Sequence, residues 1–499
     1  GAMYDLGEGV AEDDDMALKL YLKAAQQGHA IAQLNLGLKY DNGDGVFEDN
    51  QEAIYWYQKA ADQGFAVAQA NLGVMYATGE GVEQDYAKAM TLYLQAAEQK
   101  YAPAYYSIAL AYSDGDGVAI NHQHAFEYFL LAGKRNHADA QYSLALMLER
   151  GIGIMENDKQ AFEWHKKAAA NGNALAQFAI AQKYDMGEYV LEDDEQAFQW
   201  YQQAAQSGHT IAQYITAEKY RTGDGVQQDA KQAFAWYQLA AIEGHAGAQF
   251  RTALAFETGN GTNADLSKAA QWHKRAADQG HAGAQSNLAM MYATGNGVNE
   301  NQQTSATLLK MAVAQNNPEA QANLAAMYAE GRGVAEDDRQ AYNLYKTAAE
   351  QGHADAQYNL GMIYESGEGI FKDFERSVHW YNKAAQQSHA GAQSNLGVMY
   401  VKGKGVPTDF DKALKWLRLS AEQGHGAAQS NLGDLYANGT GVDQDTQLAL
   451  QWYRNAAKQG YADAQYNMGL VYTQGVGVAI DSQQALQWYR KAANHGHAK

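Results

Sequence analysis

The 499-residue chain repeats one pattern of apolar and polar positions every 36 residues. In residues 30–65, Ala32, Leu36 and Tyr40 have the spacing of an apolar stripe along one face of a helix. This spacing predicts a first helix over residues 30–41, which we call helix A. Residues 53–61 show helical spacing again and predict a second helix, called helix B. Each repeat is therefore predicted to be a helical hairpin.

Turn and capping residues mark the predicted ends of these helices. We call equivalent positions of different repeats a register and name each register after its residue in 30–65. The Gly43 register is glycine in all fourteen repeats, from Gly7 to Gly475, and predicts the turn after helix A. The Asp49 register is Asp or Asn throughout, which predicts the N-cap of helix B. Helix B is predicted to stop at the Gly64 register.

Small and large residues alternate between the predicted helices. The Ala32 and Ala60 registers are almost always alanine, and the Gly37 register is Gly or Ala, which permits close approach of neighbouring helices. All nine tryptophans fall in the Trp56 register, where we expect them to be buried between these small residues. Interdigitated layers of this kind predict an all-α solenoid in which each hairpin covers the next.

The pattern AxAQxxLGxxY…GxGV…D…A…W…KAA…G resembles the Sel-one-like repeat family, which is related to tetratricopeptide repeats. The resemblance covers a partial repeat at 1–29 and thirteen complete repeats at 30–497, so that residues 1–499 form one continuous solenoid. It implies a right-handed superhelix of antiparallel helix pairs. It also implies a bacterial, non-catalytic scaffold or adaptor, and favours a periplasmic or secreted location over a cytoplasmic one.

Composition narrows the class of partner. The chain has 57 acidic and 37 basic residues and a net charge of −20, which disfavours nucleic acid and anionic membranes and favours a basic or neutral partner. It contains no run of apolar residues long enough to predict a membrane span. It contains no cysteine, which excludes disulfides and zinc–thiolate sites.

Several motifs resemble catalytic or ligand sites. The GxGV loops lack the preceding strand and the following Lys-Ser/Thr of phosphate-binding loops. Nine histidines share the His29 register after helix B, where a histidine complements the helix dipole. His122 and His124 are two residues apart and do not share a helix face. His165 and His273 stand in the Tyr57 register and are interpreted as replacements for packed aromatic residues. We therefore predict no catalytic residue, no metal site and no cofactor.

Function is expected where the repeats differ. On a helical wheel, Ile31, Leu34, Leu38 and Asp41 lie opposite the core, and the family resemblance places this stripe on the concave face. The Leu34 register is aromatic in five successive repeats. These rings either pack against adjacent A helices or form a binding ladder. The five residues are Tyr106, Tyr142, Phe178, Tyr214 and Phe250.

The neighbouring Asn35 register loses its asparagine in the same five repeats and is asparagine elsewhere. By the resemblance, these amides bind the backbone of a peptide in the concave groove; alternatively, each fixes the packing of a neighbouring helix. We predict that the groove binds a partner protein or peptide. A polysaccharide or peptidoglycan strand is the alternative, because aromatic rings and amides also suit sugars. The candidate amides are Asn287, Asn323, Asn359, Asn395, Asn431 and Asn467.

The ends of the chain carry no polar capping helix. The sequence begins inside a helix A and stops after a helix B whose apolar residues include Leu486, Trp488 and Tyr489. Solenoids normally need polar terminal repeats for solubility. We therefore expect either a fragment of a longer array or end-to-end self-association.

Overall fold

The computed structural model describes residues 1–496, which contain 28 α-helices and no strand. These helices form an all-α solenoid of repeated helix pairs with a 36-residue period, as predicted. Contacts between Cα atoms divide the chain into two compact units. The first unit contains residues 1–248 and 260–262, and the second contains residues 249–259 and those from 263 onward. The division falls within helix α15 (Ala246–Thr258).

Helix A of each repeat has an odd number and helix B an even number. The helices before the division are α1 (Ala2–Asp5), α2 (Asp14–Gln26), α3 (Ala30–Asn42), α4 (Asn50–Ala61), α5 (Ala66–Thr78), α6 (Tyr86–Glu98), α7 (Ala102–Asp114), α8 (His122–Gly133), α9 (Ala138–Arg150), α10 (Asp158–Ala170), α11 (Ala174–Met186), α12 (Asp194–Gln206), α13 (Thr210–Thr222) and α14 (Ala230–Ile242). Those after α15 are α16 (Leu266–Asp278), α17 (Ala282–Thr294), α18 (Gln302–Ala314), α19 (Pro318–Glu330), α20 (Asp338–Glu350), α21 (Ala354–Ser366), α22 (Phe374–Gln386), α23 (Ala390–Lys402), α24 (Phe410–Glu422), α25 (Gly426–Asn438), α26 (Thr446–Lys458), α27 (Ala462–Gln474) and α28 (Ser482–Asn494).

The predicted helix boundaries are confirmed. In all fourteen repeats the Asp49-register side chain accepts a hydrogen bond from a backbone N–H in the first turn of helix B. The turn after helix B keeps a positive φ even where its glycine is replaced, so the packing of the hairpins imposes this conformation. The four replacements are Lys100 (φ 62°), Asn136 (63°), Asn316 (61°) and Ser388 (65°).

The core is centred on the Tyr57 register rather than on the tryptophans. Tyr57 and Tyr381 are fully buried, and each ring lies against the Gly37-register residue of its own repeat. A Cβ at Gly361 would lie 2.6 Å from Cδ1 of Tyr381, which explains why this register holds only small residues. Trp56 is buried as expected, but the other eight tryptophans are partly exposed. Several have a cation over the ring, such as Lys167 at 4.1 Å from the Trp164 centroid.

A ladder of buried glutamines joins successive repeats, and the sequence interpretation gave it no role. Gln33 donates from Nε2 to the carbonyl of Ala25 in the preceding helix B at 3.0 Å, and accepts from Nε2 of Gln63 at 2.7 Å. The same link recurs between Gln321 and Gln351 in the second unit. These hydrogen bonds satisfy the buried amides of Gln33 and Gln321 and fix the spacing between hairpins.

Candidate protein-binding surface on the A helices

The A stripe, which we define as the registers of Ile31, Leu34, Leu38 and Asp41, is not uniformly exposed. Ile31 is 51% exposed and Val74, in the Leu38 register, is 42% exposed. Leu34 and Ser286, both in the Leu34 register, are buried at 8% and 2% exposure. The Leu34 register therefore faces partly toward helix B, and the helical wheel placed it too far from the core. Only large side chains in this register extend to the surface.

The five predicted rings are all partly buried, between the core and solvent. Each contacts the Tyr57-register ring of its own repeat, with centroids 5.6–5.9 Å apart. The pairs are Tyr106–Phe129, Tyr142–His165, Phe178–Tyr201, Tyr214–Tyr237 and Phe250–His273. One side of each ring is therefore a packing surface, while a partly exposed portion stays available to a partner. Whether these rings bind a partner remains a prediction.

A histidine stacks on four of the five rings, which the sequence interpretation missed. Phe178 and His209 have centroids 4.4 Å apart with an interplanar angle of 20°, and Tyr106 stacks on His137 at 4.6 Å. Tyr214 and Phe250 make the same contact with the His29-register histidines of their repeats. The sequence contains a signal for this stacking, because these histidines recur in the repeats that carry the aromatic residues. Tyr142 is the exception, since Asn173 occupies the histidine position.

These histidines cap helix A, which differs from the predicted role at the end of helix B. His209 is the N-cap of α13, and its Nδ1 accepts a hydrogen bond from the backbone N–H of Ala212 at 3.1 Å. His137 caps α9 in the same way. A ring nitrogen can accept only when it carries no proton, and a positive charge is unfavourable at a helix N-terminus. This geometry therefore requires neutral histidine. His497, of the same register, lies outside the described residues.

The pKa values of the capping histidines follow their surroundings. Burial lowers the pKa of His137, His209, His245 and His425. His353 behaves in the opposite way, because a hydrogen bond between its Nε2 and Oε2 of Glu319, at 2.8 Å, raises its pKa. The same capping position thus contains groups whose titration has opposite effects on stability.

The six predicted asparagines are partly buried. Asn395 donates from Nδ2 to the hydroxyl of Tyr381 at 3.1 Å, and Asn467 donates to Oδ1 of Asp434 at 3.1 Å. Asn323 lies 3.5 Å from Oε1 of Glu319. These contacts show that some amides link neighbouring side chains, as the packing interpretation requires. Binding of a peptide by these amides remains a prediction.

Acidic residues of the Asp41 register, within the A stripe, accept hydrogen bonds from buried Tyr57-register side chains. The hydroxyl of Tyr57 donates to Asp41 at 2.8 Å, and that of Tyr381 to Glu365 at 2.9 Å. His165 replaces the tyrosine in its repeat and lies fully buried, with Nε2 3.2 Å from Glu149. Contacts with His165 and with Lys183 lower the pKa of Glu149 to about 2. His165 therefore substitutes for a packed aromatic residue, as does His273, which is paired with Glu257 at 3.1 Å.

Two clusters of carboxylates surround buried lysines. Nζ of Lys39 lies 2.6 Å from Asp5 and 3.1 Å from Asp44, and Nζ of Lys219 lies 2.7 Å from both Asp185 and Asp224. Burial lowers the pKa of each lysine, but hydrogen bonds to the aspartates outweigh it and the net shift is upward. These clusters are internal ion pairs.

The remaining histidine candidates lie in a first turn of helix B. His122 begins α8, and His124 packs edge-on against Tyr112 with centroids 5.1 Å apart. Among residues 1–496, the carboxylate clusters around Lys39 and Lys219 are the groups close enough to hold a cation, and they include neither histidine. None of the described helices has both the length and the apolar run needed to cross a bilayer.

The chain belongs to the Sel1 repeat family. The Sel1 repeat model matches all fourteen repeats, from residues 1–29 and 30–65 through to 462–497. This is a fold that generally serves as a scaffold for protein interactions. The match therefore confirms the resemblance on which the sequence interpretation relied.

Solved structures agree with this assignment. The c5321 protective antigen of uropathogenic Escherichia coli strains, which displays an SLR fold, is 31% identical, with 96% of this chain and 94% of that chain covered and a TM-score of 0.50. A Sel1 repeat protein from Oxalobacter formigenes is 29% identical, with 62% and 89% covered and a TM-score of 0.50. No curated protein matches this chain significantly in sequence.

Proposed function

We propose that the protein is a non-catalytic scaffold that binds a partner protein or peptide along the A stripe. The observation that carries this proposal is the row of partly exposed rings at Tyr106, Tyr142, Phe178 and Tyr214 in the first unit. Each ring is held on its inner side by the core, so little conformational entropy is lost when a partner covers the outer side. Aromatic anchors of this type often dominate interface energetics.

The charge of the chain favours a basic or neutral partner. The whole chain carries a net charge of −20, although Asp185 and Glu218 of the A stripe are paired with Lys219 and Arg221 within the chain. A partner with Lys or Arg beside apolar residues would be attracted to this face and could place its apolar side chains on the rings. A peptide in the groove could also be bound by the amides of the Asn35 register, because an amide side chain can donate and accept hydrogen bonds at once.

The test is selection of peptides from a random library displayed on phage, with the full chain as bait. Selected peptides should bind the wild type, and the Y142L/Y214L double variant should weaken binding by about tenfold. Leucine keeps apolar packing on the Tyr57 register, so helicity should be preserved. The matched control is Y358L/Y466L, which changes the same register where the neighbouring repeats carry Ser or Ala, and it should bind normally.

Two outcomes would contradict this proposal. One is peptide binding that Y142L/Y214L leaves unchanged, which would show that the rings only pack. The other is the absence of selected peptides together with retention of the chain on peptidoglycan or polysaccharide affinity gels. That result would support the alternative of a glycan-binding envelope module.

A further inference from the structure

Two loops of the first unit carry apolar side chains that the A stripe does not use. Residues 151–157 connect α9 to α10, and residues 187–193 connect α11 to α12. Met155 and Leu191 occupy the same register of adjacent repeats and are 87% and 90% exposed. With them we group three further exposed residues and call the set the loop patch. The set comprises Ile154, Met155, Met186, Tyr189 and Leu191. Exposed apolar groups clustered in this way are typical of interaction surfaces.

Tyr189 departs from the repeat at a position that is otherwise glycine. The Gly45 register is glycine at a positive φ in the thirteen other repeats, whereas Tyr189 adopts φ 63° with a full side chain. A Cβ at Gly45 would lie 2.7 Å from Cβ of Asp14, so the register normally touches the preceding helix B. Tyr189 is 61% exposed, and its side chain interacts with Asp158 at the start of the preceding helix B. The substitution therefore adds a largely exposed aromatic residue to the loop patch.

The surroundings of the patch are acidic. Residues 151–158 and 186–195 contain seven carboxylates and neither lysine nor arginine. Arg150 and Lys159 flank the first of these two segments. Lys183 has its Nζ 5.2 Å from the Tyr189 ring centroid and is paired with Glu149 at 2.8 Å. That lysine is largely buried and leaves the rim negative. The rim residues are Glu156, Asp158, Glu188, Glu192, Asp193, Asp194 and Glu195.

We propose that the loop patch docks a basic amphipathic segment of a partner protein. Apolar side chains of the segment would cover Met155, Tyr189 and Leu191, and its Lys or Arg side chains would reach the acidic rim. An anionic membrane surface would be repelled by the same carboxylates. The surface lies on the loops between helices A and B, so the proposal does not depend on binding at the A stripe.

The chain itself provides a control. Phe47 and Phe371 occupy the same register as Met155 and are each 97% exposed. Their equivalents in adjacent repeats are small, acidic or proline, so each phenylalanine stands alone. These equivalents are Ala11, Glu83, Ala335 and Pro407. An isolated exposed ring in this register should contribute little to docking.

The experiment uses the full chain and a fluorescent amphipathic peptide made of Leu and Lys, with binding measured by fluorescence anisotropy. The M155S/L191S variant should weaken binding by about tenfold, and the F47S/F371S control by less than about twofold. Y189G should weaken binding by about threefold with unchanged helicity. A peptide in which Glu replaces Lys should bind at least about tenfold more weakly than the Lys peptide.

The proposal is overturned if M155S/L191S binds the Lys peptide as tightly as the wild type. It is also overturned if F47S/F371S loses as much affinity, since the attraction would then be unspecific, or if the Glu peptide binds equally well. The Y142L/Y214L variant should bind the Lys peptide normally, so failure here and failure at the A stripe give different patterns.

Discussion

The A stripes of the two units differ although the scaffold beneath them is the same. In the first unit the Leu34 register carries rings from Tyr106 to Tyr214, and the Asn35 register carries residues such as Ser107 and Ile215. From residue 282 onward, in the second unit, the Leu34 register is mostly Ser or Ala and the Asn35 register is always asparagine. Phe250 continues the aromatic pattern at the start of the second unit. Two registers therefore change together while the Asp49-register N-caps and the Gly43-register turns stay constant.

The geometry explains why this variation is tolerated. A residue in the Leu34 register lies between the Tyr57-register ring and the N-cap of the next helix A. A ring fills this space and stacks on a histidine, as Phe178 does on His209. A small residue such as Ser286 is buried there without disturbing the helix. Side chains that do not determine the backbone conformation can thus be specialised for binding. Repeat scaffolds acquire different partners in this way.

The largest expected effect is on the unfolding free energy. It tests whether buried rings stabilise the two units equally. Y201A in the first unit and Y381A in the second remove rings that are 2% and 0% exposed. Each should cost about 3–5 kcal/mol of unfolding free energy, as for other buried aromatic residues. Hydrogen exchange should show lost protection in the mutated unit and retained protection in the other, because contacts run between neighbouring repeats.

Loss of protection in both units from either substitution would contradict this nearest-neighbour behaviour. W236A is the matched control, since Trp236 is only partly buried and packs from the adjacent repeat. It should cost less than Y201A.

A smaller effect is expected from a buried charge that distinguishes the units. Lys219 is 5% exposed and pairs with two aspartates, whereas the same register in the second unit holds Met291, Met327 and Met399. K219M should cost about 2 kcal/mol, less than for a fully buried pair because the carboxylates are partly exposed. The K219M/D185N/D224N variant should recover most of the melting temperature. A K219M protein as stable as the wild type would show that the aspartates are well solvated without the lysine.

The smallest expected effect is on the pH dependence of the melting temperature. The pKa values of His137, His209 and His245 are lowered, so their contribution is present above the unfolded pKa of about 6.5 and is lost as pH falls through the folded pKa. The wild-type melting temperature should therefore drop more between pH 7 and pH 5 than that of H137N/H209N/H245N. Asparagine caps this position naturally at Asn173. Equal pH dependence in both proteins would be inconsistent with neutral capping histidines.

Titration of His353 is expected to change the stability in the opposite direction. Its raised pKa means that the pair with Glu319 stabilises the protein below the unfolded pKa, and that this contribution is lost as pH rises through the folded pKa. H353N should therefore be more destabilising at pH 5 than at pH 8. A cost that does not change with pH would show that the pair is not ionic.

The repeat, its helix boundaries and the N-caps of helix B were determined by the sequence alone. Asp49, Gly43 and their equivalents act through contacts within a few residues of themselves, so their roles can be predicted from local chemistry. The small Gly37 register also predicted close approach correctly, because its size is restricted in every repeat. The family assignment followed from the same local pattern.

Only the tertiary structure decided which side chains reach the surface. The exposure of Trp236, the stacking of His209 on Phe178 and the enclosure of Lys219 all depend on where the neighbouring hairpins lie. A helical wheel describes one helix and contains no neighbour, so it assigned the Leu34 register to solvent. The rings became partly buried because packing of helix B and of the following N-cap closes this register from two sides.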